Sequence, residues 1–279
     1  MNLFSAFLLA AIIAGSWNAK WFPSGRAMHR ADPKAEEQTI KAAGAYLRSC
    51  IEKTRKAPDD DVIICLNEIH GKEEAYALCS AIGITNLDVA VISRYRLRNK
   101  IDTQQDAILT TLPIQSSSFS QWKHKKRVWP PRGEAKAILN YEDAKLIAYS
   151  IHLKSHYGET SEQIEHLNDQ KRQLATSQIA SEVRKIKGPL IVAGDFNMDF
   201  GEGKKPDMKA LKMLTRAGLQ NQITCEGDEK IITFPGNKSR PGSTLDYIMT
   251  KNMKVVSKPK SFPIEKSISD HYAVFILLK

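Results

Sequence analysis

Val62-Ile63-Ile64-Cys65-Leu66 is an unbroken apolar run, rich in β-branched residues, that stops abruptly at Asn67-Glu68. A short run without polar alternation is what a strand covered on both faces requires. Similar runs recur at Val89 to Ser93, Ala107 to Thr111, Ala135 to Tyr141, Leu146 to His152, Leu190 to Ala193, Ile231 to Phe234, Thr244 to Met249 and Tyr272 to Leu278. Helical periodicities lie between them. Asp32-Pro33 followed by Glu36 and Glu37 opens a helix whose apolar side is Ile40, Ala43, Leu47, Cys50 and Ile51 and whose end is basic. A second helix is expected from about Ser161 to Lys185, with Ile164, Leu167, Leu174, Ile179, Val183 and Ile186 on its apolar side, and a third from about Asp207 to Ala217. Strands outnumber helices and no repeat or linker divides the chain, so the economical architecture is one α/β domain of two packed sheets with helices on their outer faces.

At 279 residues, 42% apolar and 26% charged, the chain is long enough for a sizeable core, and its composition excludes wholesale disorder. Lysine and arginine total 41 against 31 aspartates and glutamates, a formal charge of +10 that suits a polyanionic partner: nucleic acid, a phospholipid surface or small phosphates. Cys50, Cys65, Cys79 and Cys225 lack metal-ligand spacing and read as buried thiols. No apolar stretch reaches the roughly 18 residues of a membrane-spanning helix. Met1 to Ser16 is uncharged and resembles the apolar core of a signal peptide, but no Lys or Arg precedes it and it runs directly into Trp17-Asn18. Residues 1–15 are therefore set apart as an apolar leader, either the first core strand or a signal or anchor segment, from a domain at 16–279. A cytoplasmic location is favoured over export or tethering through residues 1–16.

Ending an apolar strand on an ionisable or amide group costs desolvation unless a partner awaits it. The chain does this repeatedly: Trp17 leads to Asn18, Leu66 to Asn67-Glu68, Ile151 to His152, and Gly194 to Asp195-Phe196-Asn197, while Asp270-His271 precedes the last strand and Asp246 interrupts another. Each has an ordinary explanation singly, as a turn cap or a hydrogen-bonded core histidine. Together, Glu68, Asp195, Asp246, Asp270, Asn18, Asn197, His152 and His271 are the inventory of a site that holds a hard divalent cation and moves protons beside it. Phosphate esters repel nucleophiles, so their hydrolysis needs a cation and donors on the nonbridging oxygens, a base for water and relief for the departing oxygen.

The blocks SWNAKWF at 16–22, CLNEI at 65–69, YSIHLKS at 149–155, AGDFNMD at 193–199, STLDYIM at 243–249 and SDHYAVF at 269–275 resemble, in order, those of the endonuclease/exonuclease/phosphatase superfamily, in particular its deoxyribonuclease/sphingomyelinase-like bacterial branch. The resemblance implies a four-layered α/β sandwich with two central, largely antiparallel sheets flanked by helices. It implies Glu68 as metal ligand with Asn18 and Asp270, the ion being Mg²⁺ or Mn²⁺ on oxygen donors. Asp195 would orient or deprotonate the attacking water, with Asn197 placing that water or a phosphate oxygen. His271 would bond the phosphate while Asp246 holds its ring, and His152 would help carry the leaving group. Asn67 stands where many relatives have Gln, and Lys20 where abasic-site endonucleases place an acid.

The most distinctive segment outside these blocks is Gln121 to Arg132. Its Lys125, Arg127 and Arg132 are candidates for backbone phosphates and its Trp122 and Trp129 for stacking on bases; the alternative is a solvated loop whose tryptophans cover the core edge. Arg94, Arg96, Arg98 and Lys100 are expected on one strand face, and Lys251, Lys254, Lys258 and Lys260 on a solvated surface. The function expected is therefore metal-dependent phosphodiester hydrolysis of DNA or RNA by a monomer without a protein partner. The alternatives are a phospholipid phosphodiesterase or phosphomonoesterase of the same fold, and a catalytically inactive binding module.

Overall fold

The computed structural model describes residues 10–25, 32–97, 99–156, 158–236 and 241–279. Among them are fourteen strands and four helices, in the order β1 (Ile12–Phe22), α1 (Pro33–Thr54), β2 (Asp61–Ile69), α2 (Lys72–Ile82), β3 (Asp88–Ile92), β4 (Arg96–Leu97), β5 (Lys100–Ile101), β6 (Gln105–Thr110) and β7 (Ile114–Gln121). There follow β8 (Gly133–Tyr141), β9 (Ala144–His152), α3 (Glu162–Val183), β10 (Leu190–Asp195), α4 (Lys205–Arg216), β11 (Gln220–Asn221), β12 (Asp246–Lys251), β13 (Val255–Phe262) and β14 (Ala273–Leu278). Two six-stranded sheets result, ordered β13-β14-β1-β2-β6-β3 and β11-β12-β10-β9-β8-β7. Each carries one parallel pair among antiparallel neighbours, β1 with β2 and β9 with β10.

Side-chain alternation along β1 and β2 explains how the layers meet. Ile13 and Trp17 of β1, with Val62, Ile64 and Leu66 of β2, pack under α1 and α2. Ile12 and Ala14, with Ile63 and Cys65, face the second sheet and join Ala137, Tyr149, Ile191 and Ile248 in a shared core. Because Ile12 to Ser16 are buried within β1 and paired on both sides with β14 and β2, that apolar run is a central strand of the first sheet. Met1 to Leu9 lie outside the described residues. No described helix is long and apolar enough to cross a membrane.

The helices start where expected: Asp32 caps α1 by accepting from the Lys34 amide, and Ser161 caps α3 by accepting from that of Ile164. The buried side of α3 differs from the apolar stripe expected. Its first half buries Asn168 and Arg172 while Ile164 is exposed, because this end packs on the loop after β9, where Asn168 donates to Glu159 and Arg172 to the Lys154 carbonyl. Ile231 to Phe234 is not a strand; it makes one bridge, Phe234 with Ser243, and the Thr233 hydroxyl accepts the Leu245 and Asp246 amides in place of a ladder. Arg96 and Lys100 lie on opposite arms of the small β4-β5 hairpin, so the basic stretch does not form one strand face; Arg98 lies outside the described residues. Lys251 is not on a solvated surface either: its ammonium donates to the Val183 and Ile186 carbonyls at the end of α3, at 3.2 and 2.7 Å.

Candidate active site

The register brings the strand-end residues to one edge of both sheets. His152, Asp195 and Asp246 are direct neighbours across β9, β10 and β12, and Asn18 is opposite Asn67 across β1 and β2. His271 lies two residues before β14, whose antiparallel course beside β1 returns it to the same end. Gly194 makes the last step of β10 possible. Its φ is +145°, and an added Cβ would stand 1.9 Å from the Ile151 carbonyl oxygen.

Simple alternation along β2 would send Glu68 to the helix side, with Leu66. Instead Glu68 adopts φ +62°, and the β1–β2 register shifts between Asn18 and Phe22, where Lys20 and Trp21 also have positive φ. The double irregularity turns Glu68 into the cleft, where Oε1 accepts from Asn18 Nδ2 at 3.1 Å and Oε2 from the Trp21 amide at 3.1 Å. Asn18 Nδ2 also donates to Asp195 Oδ2 at 2.9 Å, so one amide joins the carboxylates of both sheets. Asp195 Oδ1 accepts the Asn197 amide at 2.8 Å, and Asn197 Nδ2 donates to the Leu153 carbonyl.

The two histidines have opposite electrostatics. His152 places Nε2 3.7 Å from Glu68 Oε1 and 3.6 Å from Asp195 Oδ2, yet burial, with Arg132, His271 and Lys154 nearby, holds it well below the ordinary 6.5. It is a neutral ring. Burial also opposes charge on His271, but Asp246, which accepts from Nδ1 at 2.8 Å, and Asp195, 3.9 Å from Nε2, outweigh it and raise the ring to about 10. Burial lifts Asp195 to about 7, with the Asp246 charge adding to it and His271, Asn18 and the Asn197 amide opposing.

Asp195, Asp246 and His271 each offer a ligand atom within 4.8 Å of the others. That trio is poorly suited to a cation, because its ring is itself held cationic and the Asp246–His271 bond occupies both facing atoms. The Glu68 corner suits one better: the Glu68 and Asp195 carboxylates converge there on the Asn18 Nδ2, concentrating negative charge on hard oxygens with no thiol, which suits Mg²⁺ or Mn²⁺, while the Asn18 Oδ1 accepts the Lys20 amide at 3.0 Å. Asp270 faces the same cleft from the rim, its carboxylate 3.9 Å from the Lys20 ammonium.

The cleft encloses about 1540 Å³. The residues expected to bind substrate divide there. Trp129 is 60% exposed on the rim and Arg127 lines the wall, whereas Lys125 closes a tight turn with Val128 away from the lining. Trp122 reaches the cleft lining but is 7% exposed and packed into the core, so it offers little surface for stacking and covers the core edge. Arg132 is likewise buried, and its guanidinium donates to the His152 and Leu153 carbonyls and to Gln104. It holds the end of β9, and with it His152, in place.

Sequence reasoning singled out Asn67 beside Glu68 but missed the partners it ties together beneath the site. Asn67 accepts the Asp195 amide at 2.8 Å and donates to Asp106 and to Ser150, so it ties both sheets together directly behind the carboxylates. Asp106, fully buried, opens an apolar strand as Glu68 closes one, and that mirror-image anomaly was the available signal. Ser269 performs a similar task, donating to the Asn18 carbonyl and accepting the His271 amide. Lys154, His156 and Lys171 also line the cleft, without a distinguishing pattern in the sequence.

The two mixed sheets, with the site at their common edge, form a fold shared with solved structures of endonuclease/exonuclease/phosphatase proteins. A model of the endonuclease/exonuclease/phosphatase family matches residues 15–271, and the chain belongs to that family. No curated protein is similar enough in sequence to count as a relative. Among solved structures, an endonuclease/exonuclease/phosphatase family protein from Leptotrichia buccalis superposes with a TM-score of 0.61 at 17% identity, covering 97% of this chain and 99% of the other. TDP2 from Caenorhabditis elegans gives 0.63 at 14% identity over 97% and 76%. A beta toxin from Staphylococcus aureus gives 0.61 at 14% over 95% and 98%. At these identities the likeness is one of fold.

Proposed function

We propose that the protein is a divalent-cation-dependent phosphodiesterase that cleaves nucleic acid. The observation that carries this reading is the position of Asp195, one buried carboxylate bonded to Asn18 and set beside both His152 and His271 in a single cleft. Glu68, with Asn18 and Asp270, would hold Mg²⁺ or Mn²⁺. Such an ion, when bound, neutralises charge on a nonbridging phosphate oxygen. Asp195, lifted to about 7, is a base matched to neutral pH for taking a proton from water. Asn197 orients that water or a phosphate oxygen. The His271 cation, held by Asp246, donates to the phosphate as charge develops, and the neutral His152 is placed to aid the leaving oxygen.

The nucleic-acid preference rests on the cleft wall, where Lys20, Arg96, Arg127, Lys154 and Lys171 surround the site and Trp129 stands exposed among them. The test is Mg²⁺-dependent cleavage of plasmid, single-stranded DNA, RNA, sphingomyelin and an inositol phosphate, with Asp195→Ala as control. Nucleic-acid cleavage that Asp195→Ala abolishes is the expected result. Release of free phosphate from the inositol phosphate, or lipid hydrolysis, with all nucleic acid intact, would replace this reading by another member of the reaction class; no turnover at all would favour a binding module.

A further inference from the structure

The connection from β7 to β8 is pinned at its base. Lys123 exchanges two backbone bonds with the Gln178 side chain of α3, at 2.7 and 2.9 Å, and the Trp122 amide donates to the Arg132 carbonyl. Lys125 and Val128 close the turn between them. Within this frame the His124 and Trp129 rings lie parallel, 8° apart with centroids separated by 3.8 Å. One face of the Trp129 indole is therefore covered, while the residue as a whole remains 60% exposed at the mouth of the cleft.

We propose that His124 and Trp129 form a stacking platform for an unpaired nucleobase, which makes a single-stranded segment the substrate engaged at this cleft. The proposal rests on the nucleic-acid reading above. A base inside a duplex has both faces covered by its neighbours, so only an unpaired or terminal base offers a free face to an indole. The His124 ring holds the indole in orientation before any ligand arrives, which reduces the ordering cost of binding. Arg127, between the two rings in sequence, lines the cleft and is placed for the phosphate of the stacked nucleotide. Arg96 stands on the β4-β5 hairpin, also in the wall, its backbone clasped by Gln121 at 3.2 and 2.9 Å. Leu97 is cross-strand neighbour to Lys100 and Ile101 to Arg96, so each lies beside a cation and the two aliphatic side chains occupy opposite faces of the ribbon.

The test uses the full chain carrying Asp195→Ala and fluorescence anisotropy with a labelled oligothymidylate 12-mer, a blunt 12-base-pair duplex and a 12-mer of abasic sugar-phosphate. The expected order has the oligothymidylate tightest. Adding Trp129→Ala should weaken it roughly tenfold or more while leaving the abasic strand unchanged, and Trp129→Phe should restore most of the loss. Circular dichroism establishes that the variants are folded. Equal loss on all three probes, or none on the oligothymidylate, overturns the platform. Binding to phosphatidylcholine vesicles that needs Trp129, with oligothymidylate binding indifferent to it, overturns it in favour of a lipid surface. Nuclease activity in the wild type with oligothymidylate binding insensitive to Trp129→Ala removes the platform alone. Lipid hydrolysis without any nucleic-acid cleavage removes the reading on which it rests.

Discussion

Replacing Asp246 by Asn removes one negative charge from beside the His271 ring while keeping the size of the side chain and one oxygen to accept from Nδ1. Burial by itself would keep His271 below 6.5, so its rise to about 10 is the work of Asp246 and Asp195. That rise corresponds to roughly 5 kcal/mol in favour of the charged ring. Opposite charges about 4 Å apart at an effective dielectric constant of about 20 attract by roughly 4 kcal/mol, so the Asp246 charge is large enough to carry most of it. Asp246→Asn should bring the ring from about 10 to about 7 or below, and at about pH 8 the charged fraction should fall from nearly all to about one tenth. A histidine raised in the fold contributes stability that is fully present below 6.5 and lost as pH rises through about 10, so the variant is most destabilised at low and neutral pH and the difference closes on the alkaline side. Ring-carbon resonances followed by NMR across pH in metal-free protein give the ionisation directly, and urea unfolding at matched pH gives the energy. A wild-type His271 that titrates at or below 6.5, or an Asp246→Asn variant in which it does not move, refutes the argument.

Gly194→Ala should destabilise the fold by at least about 3 kcal/mol in urea unfolding, since the added Cβ meets the Ile151 carbonyl oxygen at 1.9 Å in a backbone conformation at φ +145°; a loss under about 1 kcal/mol would contradict the close approach. Burial lifts Asp106 to about 8 in spite of its bond from Asn67. Its contribution is therefore present below 3.8 and lost as pH climbs through about 8, and Asp106→Asn should gain about 1 kcal/mol or more at the alkaline end and nothing at the acid end, an idea defeated by parallel stability curves. Glu68→Gln should weaken Mn²⁺ binding at least roughly tenfold in isothermal titration, and unaltered affinity would move the cation away from the Glu68 corner.

The strand-end anomaly is what made the site legible. Desolvating Glu68, Asp195 and Asp246 at the ends of buried strands has a physical cost that only convergence repays, and the register of β9, β10 and β12 places His152, Asp195 and Asp246 side by side. Amphipathic residues were less legible. Trp122 and Trp129 stand seven positions apart in one basic segment, but nothing local distinguishes the indole that completes the core from the one that meets solvent. Arg132 reads as a cation for phosphate, while its bonds go to backbone carbonyls. Among the elements, β7 escaped because IQSSSFSQ is an exposed edge strand with little apolar pattern, and α2 because its short stripe of Ala75, Leu78, Cys79 and Ile82 begins inside a charged run. The turn of Glu68 into the cleft depends on positive φ at non-glycine residues, which no side-chain pattern announces.

Glu68 and Asp195 are brought together by Asn18 from different sheets, and the proposed function makes them parts of one hydrolytic centre. Turnover of bis-p-nitrophenyl phosphate by the purified chain, with Mg²⁺ and then with excess chelator, tests it without depending on the natural substrate. Diester hydrolysis should disappear with the chelator and fall at least roughly a thousandfold in both Glu68→Ala and Asp195→Ala. Hydrolysis that persists in either variant, or an inert wild-type protein at saturating Mg²⁺, would contradict it.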